Sequence, residues 1–145
     1  MCFIFFKVTS YKLRVTSIKE KRSWLKPKKM KTHKDLIVWR KSIAFVTEIY
    51  ANTKKFPREE TYSLTSQVRR AAISIPANIA EGSGRKNVRE LMQFINIAMG
   101  SASELETLLL ISKNLLYLTI PTYENLDEQL REIIRMLNGL SKSIK

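Results

Sequence analysis

The side chains best suited to chemistry lie within one stretch, residues 67–89, which reads QVRRAAISIPANIAEGSGRKNVR. Polar residues recur in it at intervals of three or four, the spacing that places side chains on one face of an α-helix. We call this set the polar strip: Gln67, Arg70, Ser74, Asn78 and Glu81. Polar groups beside an apolar face need fixed hydrogen-bond partners, and we expect Ser101 and Glu104 to supply them.

Two interpretations of the polar strip stay open. In the structural one, an Arg70–Glu104 pair with Ser74 hydrogen-bonded nearby sets the register of two antiparallel helices, a role that buried ion pairs often have. In the functional one, the strip is a contact surface between subunits. We favour the structural interpretation.

The sequence holds no recognisable catalytic set. Nucleophilic catalysis needs a base or an activated thiol, and the chain has one histidine, His33, and one cysteine, Cys2. A lone histidine and a distant thiol cannot complete a zinc site. The Glu-x-x-His motif of di-iron bundles and the Gly-rich phosphate loop ending in Lys-Ser/Thr are both absent. We therefore predict a protein without enzymatic activity, metal or cofactor.

Basic residues point instead to polyanions. The net charge is +13, of which residues 30–145 carry +5, from 17 basic and 12 acidic side chains. Eight basic residues are candidate phosphate contacts: Lys34, Arg40 and Lys41 at the start of the first predicted helix, and Arg69, Arg70, Arg85, Lys86 and Arg89 around a later hairpin. Without a recognition motif, such contacts would reach the nucleic-acid backbone with little sequence specificity. A solvated helix face is an equally weighted alternative. An anion at Gly82-Ser83-Gly84 is less favoured than an ordinary capped turn.

Four helices are predicted to position these residues, because apolar side chains recur every three or four positions from Leu36 to Ile144. The predicted helices span about 35–54, 60–81, 87–116 and 122–143. Short links favour antiparallel neighbours, so the fold class is all-α, an antiparallel up-down-up-down four-helix bundle. We also predict that the run Gly100-Ser101-Ala102-Ser103 removes bulk and permits close approach of a neighbouring helix. A protein-interaction scaffold would in addition leave apolar residues exposed once the bundle closes, for example Phe45, Tyr62 or Tyr117.

Each predicted helix has a core face. These faces are Leu36, Trp39, Ile43, Val46 and Tyr50 in helix 1; Val68, Ala72, Ile75 and Ile79 in helix 2; Leu91, Phe94, Ala98, Ser101, Leu105 and Leu108 in helix 3; and Leu126, Leu130, Ile133, Leu137, Leu140 and Ile144 in helix 4.

Residues 1–29 have no helical period and a net charge of +8, from nine basic residues and one acid. We expect a poorly ordered basic extension to a domain of residues 30–145. It is either a nucleic-acid-binding arm or a disordered, upstream-translated segment before Met30, and we favour the second. The apolar start is too short for a signal peptide, and no stretch approaches the ~20 apolar residues of a membrane span. A chain without a disulfide framework suits the cytoplasm.

Two segments carry a resemblance to a known family: RRAAISIPANIAEGSGR, and QFINIAMGSASELETLL shortly after it. They resemble the four-helix-bundle proteins encoded in intervening sequences of bacterial large-subunit ribosomal RNA genes, which are related to the accessory protein of diversity-generating retroelements. The resemblance, from about Lys34 to Leu140, implies a homo-oligomer, a pentamer in relatives, associated with RNA or DNA. It also implies an alternative, an adaptor that docks a partner such as a reverse transcriptase. Where relatives often have a Gly at the end of the third helix, this chain has Asn114-Leu115-Leu116.

Overall fold

The computed structural model describes residues 32–144, and four α-helices dominate this part of the chain. They are α1 (Ile37–Thr53), α2 (Leu64–Ser83), α3 (Val88–Asn114) and α4 (Ile120–Ile144). Short 3-10 turns at His33–Asp35 and Arg58–Glu60 precede α1 and α2. No strand occurs in the described range, so the predicted all-α fold class is confirmed, with helix ends shifted by a few residues. The expectations for residues 1–29 fall outside the described residues.

The four helices pack as an antiparallel bundle. Each contacts the next along the chain, and α1 closes the bundle against α4, whereas the diagonal pairs do not approach each other. Later residues of α3 meet earlier residues of α4: Lys113 lies over the ring of Tyr123, and Glu106 faces Arg131. This is the predicted up-down-up-down topology.

The core faces of α2, α3 and α4 are those predicted. Every predicted position in these three helices is buried or half-buried. The largest fully buried side chains include Ile75 from α2, Leu105 from α3 and Leu130 from α4. The prediction succeeded because each of these helices has one regular apolar stripe, and the side that carries it is the one that is buried.

The predicted core face of α1 is wrong. Val38, Phe45 and Ile49 are buried together with Ser42 and Thr53, whereas the predicted stripe lies to the side and is only half covered. The two polar residues concealed the true face in the sequence. Both hydroxyls donate to carbonyls one turn earlier in α1, over 2.7 Å from Ser42 and 2.8 Å from Thr53, so their burial leaves no unpaired donor. Phe45, expected to be exposed, belongs to the core.

Of the two glycines, Gly82 and not Gly100 lies where α2 packs tightly on α3. A Cβ atom added to Gly82 would lie 2.8 Å from the Cβ of Phe94 and 3.1 Å from a methyl group of Leu91. No atom lies within 4 Å of the corresponding position at Gly100, which faces outward. Within the predicted run of small residues, Ser101 and Ala102 are buried and Ser101 contacts Ser74 of α2, whereas Gly100 plays no part in this packing.

The α3–α4 link begins with a Schellman motif that has leucine where glycine is usual. The amide of Tyr117 donates to the carbonyl of Ser112, and that of Leu116 donates to the carbonyl of Lys113, both over 2.9 Å. Leu116 consequently has a φ of 63°, in the left-handed region, and its side chain is 88% exposed. Non-glycine residues are strained in this conformation.

Side chains join this link to the link between α1 and α2. The hydroxyl of Tyr117 donates to Glu60 over 3.1 Å, and its ring lies 5.5 Å from that of Phe56. Hydrogen bonds from the Ser63 hydroxyl and the Leu64 amide hold the pKa of Glu60 below its ordinary value. Tyr117 is thus half-buried rather than free for a partner, while Tyr62 is exposed as predicted.

Replacing Gly82 with alanine should destabilise the bundle. The new methyl group meets Phe94 Cβ, which cannot move without moving α3, so we expect a loss of about 1–3 kcal/mol in the free energy of unfolding. Gly100→Ala is the matched control and should gain up to about 1 kcal/mol from helix propensity alone. Urea denaturation measures both, and equal effects at the two glycines would contradict the packing described.

Replacing Leu116 with glycine should stabilise the protein by about 1 kcal/mol, because the left-handed strain is relieved and little buried area is lost. Leu115→Gly is the control. Its φ is −80°, so glycine there relieves no strain and should not stabilise the fold. Thermal and urea unfolding compare the two variants, and stabilisation by both or by neither would show that φ is not the cause.

Candidate nucleic-acid interface

Three segments distant in sequence meet at one end of the bundle because consecutive helices are antiparallel: residues 33–41, 81–90 and 132–144. We call these segments together the basic end. Its basic residues are Lys34, Arg40, Lys41, Arg85, Lys86, Arg89, Arg135 and Lys142, and its acids are Asp35, Glu81, Glu90 and Glu132. The opposite end, residues 53–64 and 113–128, has four basic residues and five acids. The positive charge is therefore concentrated at one end.

Two of the predicted cations in α1 are held by neighbouring groups. The Nε of Arg40 donates to the backbone carbonyl of Lys34 over 2.7 Å. The Nζ of Lys41 pairs with Glu132 of α4 over 2.6 Å, which also ties α1 to α4. Lys34 itself is exposed and makes no ion pair with a described carboxylate.

The α2–α3 turn holds one paired and two unpaired cations. Arg85 pairs with Glu81 over 2.6 Å, and its guanidinium carbon lies 5.1 Å from the centre of the Phe94 ring. Lys86 and Arg89 are exposed and form no ion pair within residues 32–144. A phosphate group could therefore contact them without displacing an ion-paired carboxylate of the described residues.

The start of α3 is capped by its own sequence. The side chain of Asn87 accepts a hydrogen bond from the amide of Arg89 over 2.9 Å. This agrees with an ordinary capped turn, the favoured expectation for the Gly82-Ser83-Gly84 segment. One of the amides that an anion would use is already occupied.

Arg69 and Arg70 are not part of the basic end. Arg70 lies about 20 Å along the helix axis from Ser83, the last residue of α2. Arg69 packs on α1, where its Nε donates to the Thr53 hydroxyl over 2.9 Å and its guanidinium lies 4.7 Å from the centre of the Tyr50 ring. The predicted hairpin cluster thus separates into two groups, because sequence proximity within a helix still spans several turns.

The end of α4 adds cations that the sequence reading missed. Arg135 and Lys142 are exposed, and only the antiparallel packing of α4 beside α1 places them near Lys34. From the sequence, the seven-residue spacing of Arg135 and Lys142 predicts that they share one side of α4. It does not predict at which end of the bundle they lie.

The centre of the polar strip forms a directed chain of hydrogen bonds between α2 and α3. Ser101 donates to the carbonyl of Ile97 over 3.0 Å, so its oxygen accepts from Ser74 in the 2.8 Å contact between the two hydroxyls. The Ser74 hydroxyl in turn accepts from the side-chain amide (Nδ2) of Asn78 over 3.0 Å. Each group is satisfied, and no described base adjoins either hydroxyl to activate it.

The remaining members of the strip face solvent. Gln67, Arg70 and Glu104 are exposed, and no ion pair joins Arg70 to Glu104, so that predicted pair is wrong. The Ser74–Ser101 contact puts the two charged residues at the same level, but their long side chains point to water, where an ion pair gains little. Glu81 pairs with Arg85 instead.

Catalytic sites usually combine an enclosed pocket with polar or metal-ligating side chains. No group of three or more His, Cys, Asp or Glu residues suited to a metal occurs among the described residues. An open groove of about 590 Å³ runs along α3, without an enclosing wall, and is lined by Arg89, Met92, Gln93, Asn96 and Ile97.

By length and composition alone, α3 is one helix of the described residues that could cross a membrane. The sequence analysis did not predict this, and one face of α3 packs in the core of the bundle.

The model of the 23S rRNA-intervening sequence protein family matches residues 34–139. No curated protein matches the chain. Among solved structures, a protein of unknown function from the S23 ribosomal protein family of Bacteroides thetaiotaomicron is 29% identical, with a TM-score of 0.70. The match covers 75% of this chain and 98% of that one. With the helical fold, the central motif and the extent of the family match in agreement, this chain belongs to the 23S rRNA-intervening sequence protein family.

Proposed function

We propose that this chain is a non-enzymatic protein that binds RNA or DNA through phosphate contacts made by its basic end. The observation that carries the proposal is the convergence of three basic segments on one end of the bundle, while the other end has a small excess of acids. A polyanion would be attracted to that end and released by salt, because phosphate contacts displace condensed counterions.

Lys34, Lys86 and Arg89 would make the first contacts, since all three are exposed and free of ion pairs with described residues. Lys41 and Arg85 would have to exchange Glu132 and Glu81 for phosphate, which lowers their net contribution. Contacts of this kind position a nucleic acid without reading its bases, so binding would be weakly sequence-specific.

The proposal includes self-association, and the family resemblance makes a pentamer the expected form. A body with a net charge of +5 is a weak single site, and several copies that contact one polyanion would strengthen binding through multivalency. Ile97 and Ile111 are exposed on one side of α3, and a second copy would cover them.

Light scattering on the full chain tests self-association separately. We expect a mass that is a multiple of 16.9 kDa, with five copies as the family expectation. A monomer at micromolar concentration would contradict the multivalent form of the proposal and leave only the single-copy phosphate site.

A second candidate function is an adaptor that docks another protein, such as a reverse transcriptase. The exposed apolar residues, Tyr62 among them, favour this function, because phosphate contacts need charged side chains whereas protein–protein contacts bury apolar ones. In that case nucleic-acid affinity would not respond to charge changes at the basic end.

Charge reversal at the basic end should weaken nucleic-acid binding selectively. We expect Lys86→Glu with Arg89→Glu to weaken binding of a labelled RNA hairpin at least about tenfold, and to lower the slope of log affinity against log salt by about 2. Lys54→Glu with Lys55→Glu is the matched control, with the same change in net charge at the opposite end and an expected loss below about threefold.

Fluorescence anisotropy of the full-length variants across a salt series supplies both quantities. Equal losses in the two double variants would show that net charge alone drives binding, and an affinity independent of salt would exclude phosphate contacts altogether.

A further inference from the structure

One side of α1 carries a second apolar stripe that the bundle leaves half covered. Trp39 and Val46 are partly buried against the core, while Ile43 is 42% and Tyr50 36% exposed. Their spacing of three and four places them on one side of the helix, beside the buried face. A helix on the outside of a closed bundle needs one apolar face, so a second one is available to another molecule.

The neighbouring side of α2 extends this surface. The contacts of Arg69 with Thr53 and Tyr50 set the antiparallel register, so Ile73, one turn further along α2, lies level with Val46. Ile73 is 42% exposed, and the next turn presents the small side chain of Ala77. We call this surface the docking groove: Trp39, Ile43, Val46 and Tyr50 on α1, with Ile73 and Ala77 on α2.

Basic residues flank the docking groove along its length. Each lies three or four positions from an exposed apolar member: Arg40 from Ile43, Lys54 from Tyr50, and Arg69 and Arg70 from Ile73. None of the four pairs with a described carboxylate. Of the nearest acids, Asp35 accepts a hydrogen bond from the backbone amide of Thr32, and Glu81 is held by Arg85. Glu48 accepts a hydrogen bond from Gln129 on the α4 side. The rim is therefore positive.

We propose that the docking groove binds an amphipathic α-helix of a partner protein whose apolar face is flanked by acidic residues. A groove between two helices accepts a third through apolar anchors at i, i+3, i+4 and i+7. Acidic flanks on that helix would meet the arginines of the rim and set its orientation. Apart from Trp39 and Arg40, which also lie in the first segment of the basic end, the groove and its rim lie on the side of the bundle. The inference therefore goes beyond the phosphate contacts proposed for the basic end, and it gives the adaptor alternative a specific site.

The same surface suits nucleic acid less well. Single-stranded nucleic acids gain affinity from aromatic faces on which bases stack. In this groove the guanidinium of Arg69 lies over the Tyr50 ring at 4.7 Å, and Trp39 makes an edge contact with His33 at 4.9 Å between ring centres. The most exposed members, Ile43 and Ile73, are aliphatic. They cannot stack on a base, but they can bury apolar surface against the leucines of a helix.

Three designed peptides of about 18 residues, five helical turns, test the proposal on the full chain. The first has leucines at the anchor spacing and flanking glutamates, the second has lysines in place of the glutamates, and the third is a scramble of the first. Trp24→Phe leaves Trp39 as the one tryptophan, so its emission reports on the groove. We expect the acidic peptide to bind and shift that emission to the blue, and the other two to bind at least about tenfold more weakly.

Substitutions then locate the site. Ile43→Lys and Ile73→Lys should each weaken the acidic peptide about tenfold. Ile97→Lys, at a position 45% exposed on α3, should change its binding less than about twofold. All three positions are exposed, and circular dichroism checks their folding. The peptide comparison on the chain with native residues at these positions remains informative if a variant unfolds.

Four outcomes would overturn the proposal. They are equal binding of the lysine peptide, an equal loss with Ile97→Lys, displacement of the acidic peptide by single-stranded RNA, and a change of oligomer mass in Ile43→Lys or Ile73→Lys. The last two would identify the groove as a nucleic-acid site or as an interface between copies. None of the four depends on the Lys86 and Arg89 variants, so failure here is distinguishable from failure of the proposed function.

Discussion

The close packing of α2 against α3 is the contact on which the rest of the bundle depends. At Gly82 the absence of a Cβ lets Phe94 and Leu91 approach, and further along the pair Ser74 and Ser101 hydrogen-bond where larger side chains would separate the helices. Small side chains at both places keep the two backbones near each other along most of α2. The short turn between the helices is fixed by this packing, and the exposed cations of that turn are fixed with it.

The packing of α1 is looser and more polar. Its buried face includes two hydroxyl residues that satisfy their own hydrogen bonds, and its contact with α4 uses the Lys41–Glu132 ion pair and the Glu48–Gln129 hydrogen bond. Because these polar residues occupy part of the inner surface of α1, apolar residues of that helix remain on its flank. The half-covered stripe follows from how α1 divides its apolar residues between core and surface.

The bundle thereby presents chemically different surfaces in different places. One end concentrates lysine and arginine, the α1–α2 side combines aliphatic residues with a positive rim, and the outer side of α3 exposes Ile97 and Ile111 among polar residues. The first two surfaces adjoin at Trp39 and Arg40, which lie both in the first segment of the basic end and along the docking groove. In the proposals above, a polyanion, a partner helix and a second copy would each use a different one of these surfaces.

Apolar spacing was enough to predict the four helices, their approximate ends and the core faces of α2, α3 and α4, because each of those helices has a single apolar period. The sequence also predicted Ser101 as a partner for the polar strip. Tertiary structure decided which of two stripes on α1 enters the core, which glycine limits the helix spacing, and that Lys34, Lys86 and Arg135 share one end while Arg69 and Arg70 do not. The spacing of apolar residues predicts which side chains share one face of a helix. Which residues of the other helices that face contacts depends on the distances between helices, and those distances are set only when the side chains pack.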